Sequence, residues 1–134
     1  MIVWLVVALG SAVGGVARYG VGLLAARAWG SAFPTGTLLI NVVGSFIIVF
    51  YGALTLAGGP LPASAAMRAF IMVGFCGGFT TFSSFSLQTL ELLQAGEMAR
   101  AALYIVGSVV LCLAGAFLGW WLAARFGVTL RTEP

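Results

Sequence analysis

Gly74-Phe75-Cys76-Gly77-Gly78-Phe79-Thr80-Thr81-Phe82-Ser83-Ser84-Phe85-Ser86 lies inside an apolar segment that runs from about Met67 to Leu93. Such a segment can cross a bilayer as a helix, which takes roughly 20 residues. Its middle is a poor helix. Gly77-Gly78 is costly in a helix interior, and Thr80-Thr81 adds β-branched stiffness. The pattern predicts two half-helices with an irregular joint near Gly77–Thr81. Backbone polar groups freed at membrane depth persist only where they are buried in protein, line an aqueous cavity or hold an ion. The joint is therefore a candidate site. Phe79, Phe82 and Phe85 recur every third residue, with Ser83 and Ser86 on a neighbouring face. That spacing predicts a partly polar aromatic stripe rather than an ordinary lipid face.

The rest of the chain has the same apolar character. Of 134 residues, 62% are hydrophobic and 7% are charged, and the mean hydropathy is +1.16. A soluble domain is about a quarter charged. The expectation is an all-α integral membrane protein: one four-span domain over residues 1–134, with the lipid bilayer as its surroundings and no room for a soluble catalytic domain. The basic residues are all arginine (Arg18, Arg27, Arg68, Arg100, Arg125, Arg131), and the acids are Glu91, Glu97 and Glu133. A net charge of +3, this scattered, does not suggest a nucleic-acid partner. Cys76 and Cys112 both fall in apolar spans and read as free thiols. The N-terminal apolar run has no basic leader and continues past Arg18 to about Ala26, so it reads as a retained span rather than a signal peptide.

Span 1 covers about Ile2 to Ala26, with Gly10, Gly14, Arg18 and Gly22 at four-residue spacing. Small residues on one face allow close helix approach. Arg18 either faces a cavity or partner, or snorkels to the interface. Span 2 covers about Pro34 to Leu56 and places Thr37, Asn41 and Gly44 on one face. The Asn41 amide, deep in the membrane, needs partners; an interhelical hydrogen bond and a pore role are both open. A Gly- and Pro-containing loop, Ala57 to Ala66, precedes span 3, which ends near Glu91. Gln94 to Glu97 form a short turn before span 4, about Met98 to Ala124. Span 4 carries Tyr104, Ser108 and Cys112 on one face. With four spans, Arg68, Arg125 and Arg131 fall on one side, and Arg27, Arg100 and the buried Arg18 on or near the other. Arginine excess in cytoplasmic loops sets orientation. Here the bias almost vanishes, so either both orientations insert or a weak single topology is set by other means.

Enzyme chemistry is not expected. The chain has no His, no paired carboxylate within a span and no metal-ligand cluster, and Ser83, Ser84 and Ser86 have no base to activate them. A small dual-topology proton-coupled exporter needs a carboxylate inside the membrane, where span 1 offers only Arg18. A third reading, a subunit that only packs helices within a larger complex, uses the glycine faces alone. What remains is a permeation path of weak donors: Thr, Ser, Asn, Tyr and the positive ring edges of Phe. Such a path suits a partly dehydrated small anion passed between weak sites.

Three segments carry a recognisable pattern: Gly14-Gly15-Val16-Ala17-Arg18-Tyr19, Pro34-Thr35-Gly36-Thr37-Leu38-Leu39-Ile40-Asn41-Val42-Val43-Gly44-Ser45-Phe46, and the Gly74–Ser86 stretch. Together they resemble the Fluc (CrcB) fluoride channels, and span 4 joins through its Tyr104 and Ser108 spacing. The resemblance implies a channel that exports cytoplasmic fluoride across the cell membrane, as an antiparallel dual-topology homodimer with two pores. It implies a structural Na⁺ at the dimer centre, held by the backbone carbonyls of Gly77 and Thr80. It assigns Phe82 and Phe85 to an aromatic pair whose ring edges face fluoride, Asn41 to the ion near that pair, and Tyr104 and Ser108 to a polar track. Arg18 would be a vestibule arginine, with Thr37 and Ser83 as further lining hydroxyls. Three positions depart from the family pattern: Ser84 replaces the usual Thr, Cys112 a hydroxyl, and Gln88 a frequent Glu.

Overall fold

The computed structural model describes residues 2–56 and 59–127. Ala57 and Gly58 of the second loop, and Arg131 and Glu133 of the tail, lie outside them. The described residues are helical and contain no strand. Four helices are long and apolar enough to span a membrane. They are α1 (Ile2–Trp29), α2 (Thr35–Leu54), a composite third span (Ala65–Gln94) and a fourth, labelled α6 (Met98–Ala124). The first outruns its expected end by a turn, and Gly30, at φ 76°, stops it as a left-handed residue should. Arg27 and Arg100 sit at one end of the bundle and Arg68 and Arg125 at the other, as the charge count requires.

The third span is built from four pieces. A short α3 (Ala65–Arg68) is capped by the Ser64 side chain, which accepts from the Met67 N–H. It passes into seven residues of wider, π-type winding (Ala69–Phe75), then α4 (Cys76–Phe79), then, after Thr80 and Thr81, α5 (Phe82–Gln94). The joint is real but narrower than the sequence suggests. Gly77 and Gly78 remain helical, and only Thr80 and Thr81 are extended. The glycine pair has another use. A Cβ on Gly78 would lie 2.5 Å from the Ser11 carbonyl oxygen, so this glycine lets α4 touch the backbone of α1. The π-type stretch had no sequence signal, because such winding is set by a local mismatch in packing rather than by composition.

Close backbone contact organises the rest. Gly10 and Gly14 of α1 lie directly on the carbonyls of Phe70 and Phe75, and Gly74 answers from the other side, 2.9 Å from the Gly10 Cα for a Cβ placed there. A second seam joins α2 to α6, where Cβ atoms at Gly115 and Gly119 would stand 2.9 and 2.7 Å from the carbonyls of Val42 and Phe46. In lipid there is little hydrophobic gain from joining apolar helices, so close van der Waals packing at small residues does that work. Gly14→Ala should destabilise the protein by about 1–3 kcal/mol, the usual range for overpacking. Thermal unfolding in detergent checks this; an unshifted midpoint would mean that the α1 contact is dispensable.

Arg68 is committed to structure. Its guanidinium donates to the Gly52 carbonyl at 3.3 Å and to the Thr55 hydroxyl, at the end of α2 where carbonyls lack helical partners.

Candidate functional site

Thr80 and Thr81 break the helix because their backbone hydrogen bonds go elsewhere. The Thr81 N–H, which in a continuous helix would reach the Gly77 carbonyl, donates instead to Asn41 Oδ1 at 2.8 Å. Asn41 Nδ2 returns a bond to the Thr81 carbonyl at 3.0 Å. The Asn41 amide thus engages both backbone polar groups of Thr81, as a paired strand would. The Ser84 N–H, which would reach the Thr80 carbonyl, donates to Thr81 Oγ1 at 3.1 Å, so Thr81 caps α5. The break leaves the carbonyls of Gly77, Gly78, Phe79 and Thr80 without their helical donors, and these two diversions account for Gly77 and Thr80. Gly77 is exposed, and a Cβ placed on it would meet nothing within 4 Å.

An open groove of about 370 Å³ runs beside the joint. Asn41, Gly77, Thr80, Phe82, Phe85 and Ser108 all line it, so the structure brings together six of the residues singled out from sequence. The first turn of α5 stands at its edge, and a helix N-terminus favours negative charge. Phe82 and Phe85 approach with centroids 5.2 Å apart, and Phe85 meets Tyr104 at 5.1 Å. Phe82 is 78% exposed on this chain. The Ser108 hydroxyl oxygen is buried without a hydrogen-bond partner.

A second cavity, about 340 Å³, lies towards the first loop and is lined by Thr37, Gln88 and Glu91, among others. Tyr104 stands between the two. Its ring is fully buried against Phe85, and its hydroxyl donates to Gln88 Oε1 at 2.8 Å. The amide at Gln88 therefore has a defined partner on α6.

Other sequence expectations land differently. Phe79 does not share the stripe of Phe82 and Phe85: the extended Thr80-Thr81 pair breaks the helical phase, and Phe79 is buried, stacked on Phe75 at 5.5 Å. Ser83 bonds the Thr81 hydroxyl at 3.2 Å and lies outside the groove, while Ser86 turns back to the Phe82 carbonyl at 2.9 Å. Arg18 is half-buried on α1 and lines neither cavity. Thr81 was missed. Its signal was available, since a Thr just before a helical run is the pattern of a side-chain cap. Cys112, seen as a departure, lines the groove together with Cys76.

The profile of the family described as CrcB-like protein, Camphor Resistance (CrcB), matches residues 5–120, from α1 to the last turns of α6. Among similar proteins, one from Opitutus terrae is 52% identical over 119 residues, covering 89% of this chain and 90% of its own. One from Methylocella silvestris is 53% identical over 116 residues, covering 87% and 88%. One from Thermus thermophilus is 49% identical over 119 residues, covering 89% and 93%. All three bear the name fluoride-specific ion channel FluC. With its four apolar spans, its broken third helix and this extent of similarity, the chain belongs to the CrcB family.

Proposed function

We propose that the protein is a fluoride-selective channel that lets cytoplasmic fluoride leave the cell by passive electrodiffusion. The single observation that carries the reading is the groove. Residues able to act as weak donors line it (Ser108, Phe82 and Phe85, the start of α5), and among the described residues no charged side chain does. An aromatic edge carries partial positive charge, so an anion can rest against it. Several weak sites in series let an ion enter without being trapped. Hydrogen fluoride crosses membranes as a neutral weak acid and dissociates inside, and an inside-negative potential then drives the anion out. No proton carrier or nucleotide is needed. The test is efflux of fluoride from liposomes holding the purified protein, with chloride as control. Fast fluoride loss without chloride loss supports the channel; folded protein that passes neither ion, or both equally, overturns it.

The groove is open on one side and Phe82 lies exposed at it, a face that a second copy would complete. The near-balanced arginines suit an antiparallel dual-topology homodimer, in which a two-fold axis near the joint would create two equivalent paths. The freed carbonyls of Gly77 and Thr80 fit a structural Na⁺ at that axis. They are neutral, hard oxygen donors without helical partners, and no side chain at Gly77 blocks approach. When bound, the ion supplies positive charge that ties two copies together. Exchanging Na⁺ for a large organic cation should therefore shift the protein from dimer towards monomer in size-exclusion chromatography and lower fluoride flux. Unchanged dimer and flux would remove the ion from the assembly.

A further inference from the structure

Cys112 and Cys76 approach one cavity from different helices. Cys112 on α6 is half-buried, and Cys76 on α4 is buried; both are free thiols, and both line the groove beside the helix joint. Ser108, one turn before Cys112 on the same face, lines the same cavity. It is 7% exposed, and its hydroxyl oxygen has no hydrogen-bond partner. Apart from the freed carbonyls of Gly77 and Thr80, the groove is lined by two cysteines and by the unengaged Ser108 hydroxyl. Among the described residues, no His, Asp or Glu lines it. The two thiols are soft donors, and they suit a thiophilic ion of low coordination number, such as Hg²⁺ or Ag⁺.

We propose that the groove is a binding site for one soft metal cation per chain, anchored by Cys112 Sγ, with Cys76 Sγ as second ligand and Ser108 Oγ as a weak neighbour. With mercuric chloride the chemistry balances simply. Each thiol loses its proton, each chloride leaves the metal, and two Hg–S bonds form with no change of oxidation state. The neutral salt can enter an apolar groove where a hydrated cation would not. The metal would sit against Phe82, Phe85 and Ser108, so its arrival should close the path. That consequence for flux rests on the channel reading; the binding itself does not.

The experiment has two arms. In the first, purified protein in detergent is titrated with mercuric chloride while the ultraviolet sulfur-to-mercury charge-transfer absorption is followed. Saturation at one metal per chain is expected, with two protons released. Cys112→Ser should lose tight binding, by about 100-fold or more in apparent Kd, since a hydroxyl is a poor ligand for a soft ion. Cys76→Ser should still bind one metal but release one proton. In the second arm, fluoride efflux from liposomes is measured before and after the metal, and after excess dithiothreitol. Block in the parent, reversed by the dithiol and absent in whatever flux Cys112→Ser carries, is expected. Binding that survives Cys112→Ser, or two metals bound independently per chain, would overturn the site. Normal binding with no effect on flux would leave the metal site standing and place the ion path elsewhere.

Discussion

Phe82→Ile should reduce fluoride efflux from liposomes by about 100-fold or more while leaving the protein folded and in the oligomeric state of the parent. The folded state does not depend on this ring. It is 78% exposed, its partner within the chain is Phe85 at 5.2 Å, and Ile retains its bulk and apolar character. What Ile lacks is a ring edge. Losing a favourable electrostatic contact of about 3 kcal/mol from a dehydrated ion's path corresponds to a hundredfold change in rate. Size-exclusion profiles matched to the parent would show that the loss is one of conduction. Parent-like flux in Phe82→Ile would remove the aromatic edge from the mechanism. A loss of dimer would move the residue from the path to the interface.

Asn41→Leu should be more damaging still, and for a different reason. Both ends of this amide are engaged, Oδ1 by the Thr81 N–H and Nδ2 by the Thr81 carbonyl. Removing the side chain strands the N–H and the carbonyl of Thr81 in a setting with little water, at about 1–3 kcal/mol for each unsatisfied group. The chain can recover by re-forming the helix through Thr80 and Thr81, which would recapture the Gly77 carbonyl and straighten span 3. Either way the joint is lost. Flux should fall below detection, and thermal stability should drop or the proposed Na⁺ dependence of assembly disappear. Asn41→Asp is the sharper variant. It keeps the acceptor for the Thr81 N–H, loses the donor to the carbonyl and adds charge beside an anion path. Flux in Asn41→Asp near that of the parent would show that neither the second bond nor the neutrality of the path matters.

The spans were legible because each is a long apolar run, and a bilayer demands that length. The fourth begins and ends where the hydropathy says. The joint was legible too, but its cause was misplaced. Two adjacent glycines look like a breaker, yet Gly77 and Gly78 stay helical, and the break comes from Asn41, 40 residues away, competing for the Thr81 peptide. Composition within a window cannot register a competitor from another helix. The same limit explains Phe79. A three-residue spacing predicts a shared face only while the helix keeps its phase, and the extended pair at Thr80 and Thr81 resets it. Arg18 and Ser83 were assigned through the resemblance, Arg18 to a vestibule and Ser83 to the lining, and neither lines the groove of this single chain.

The halves of the third span differ in how they are held. Its first half lies backbone to backbone on α1, whereas none of the 13 residues of α5 is buried. A copy that has just entered the membrane therefore carries its future conduit wall bathed in lipid tails. In the proposed assembly, the same side chains then face an ion and water. They must be acceptable to two solvents in succession. Phenylalanine, serine and threonine are; a lysine or an aspartate at the same place would strand a charge in oil before any partner arrived. The economy of charge along this face thus suits biogenesis as well as conduction, and in the proposed assembly a solitary copy would be electrically silent, with no conduit through which a cell could leak.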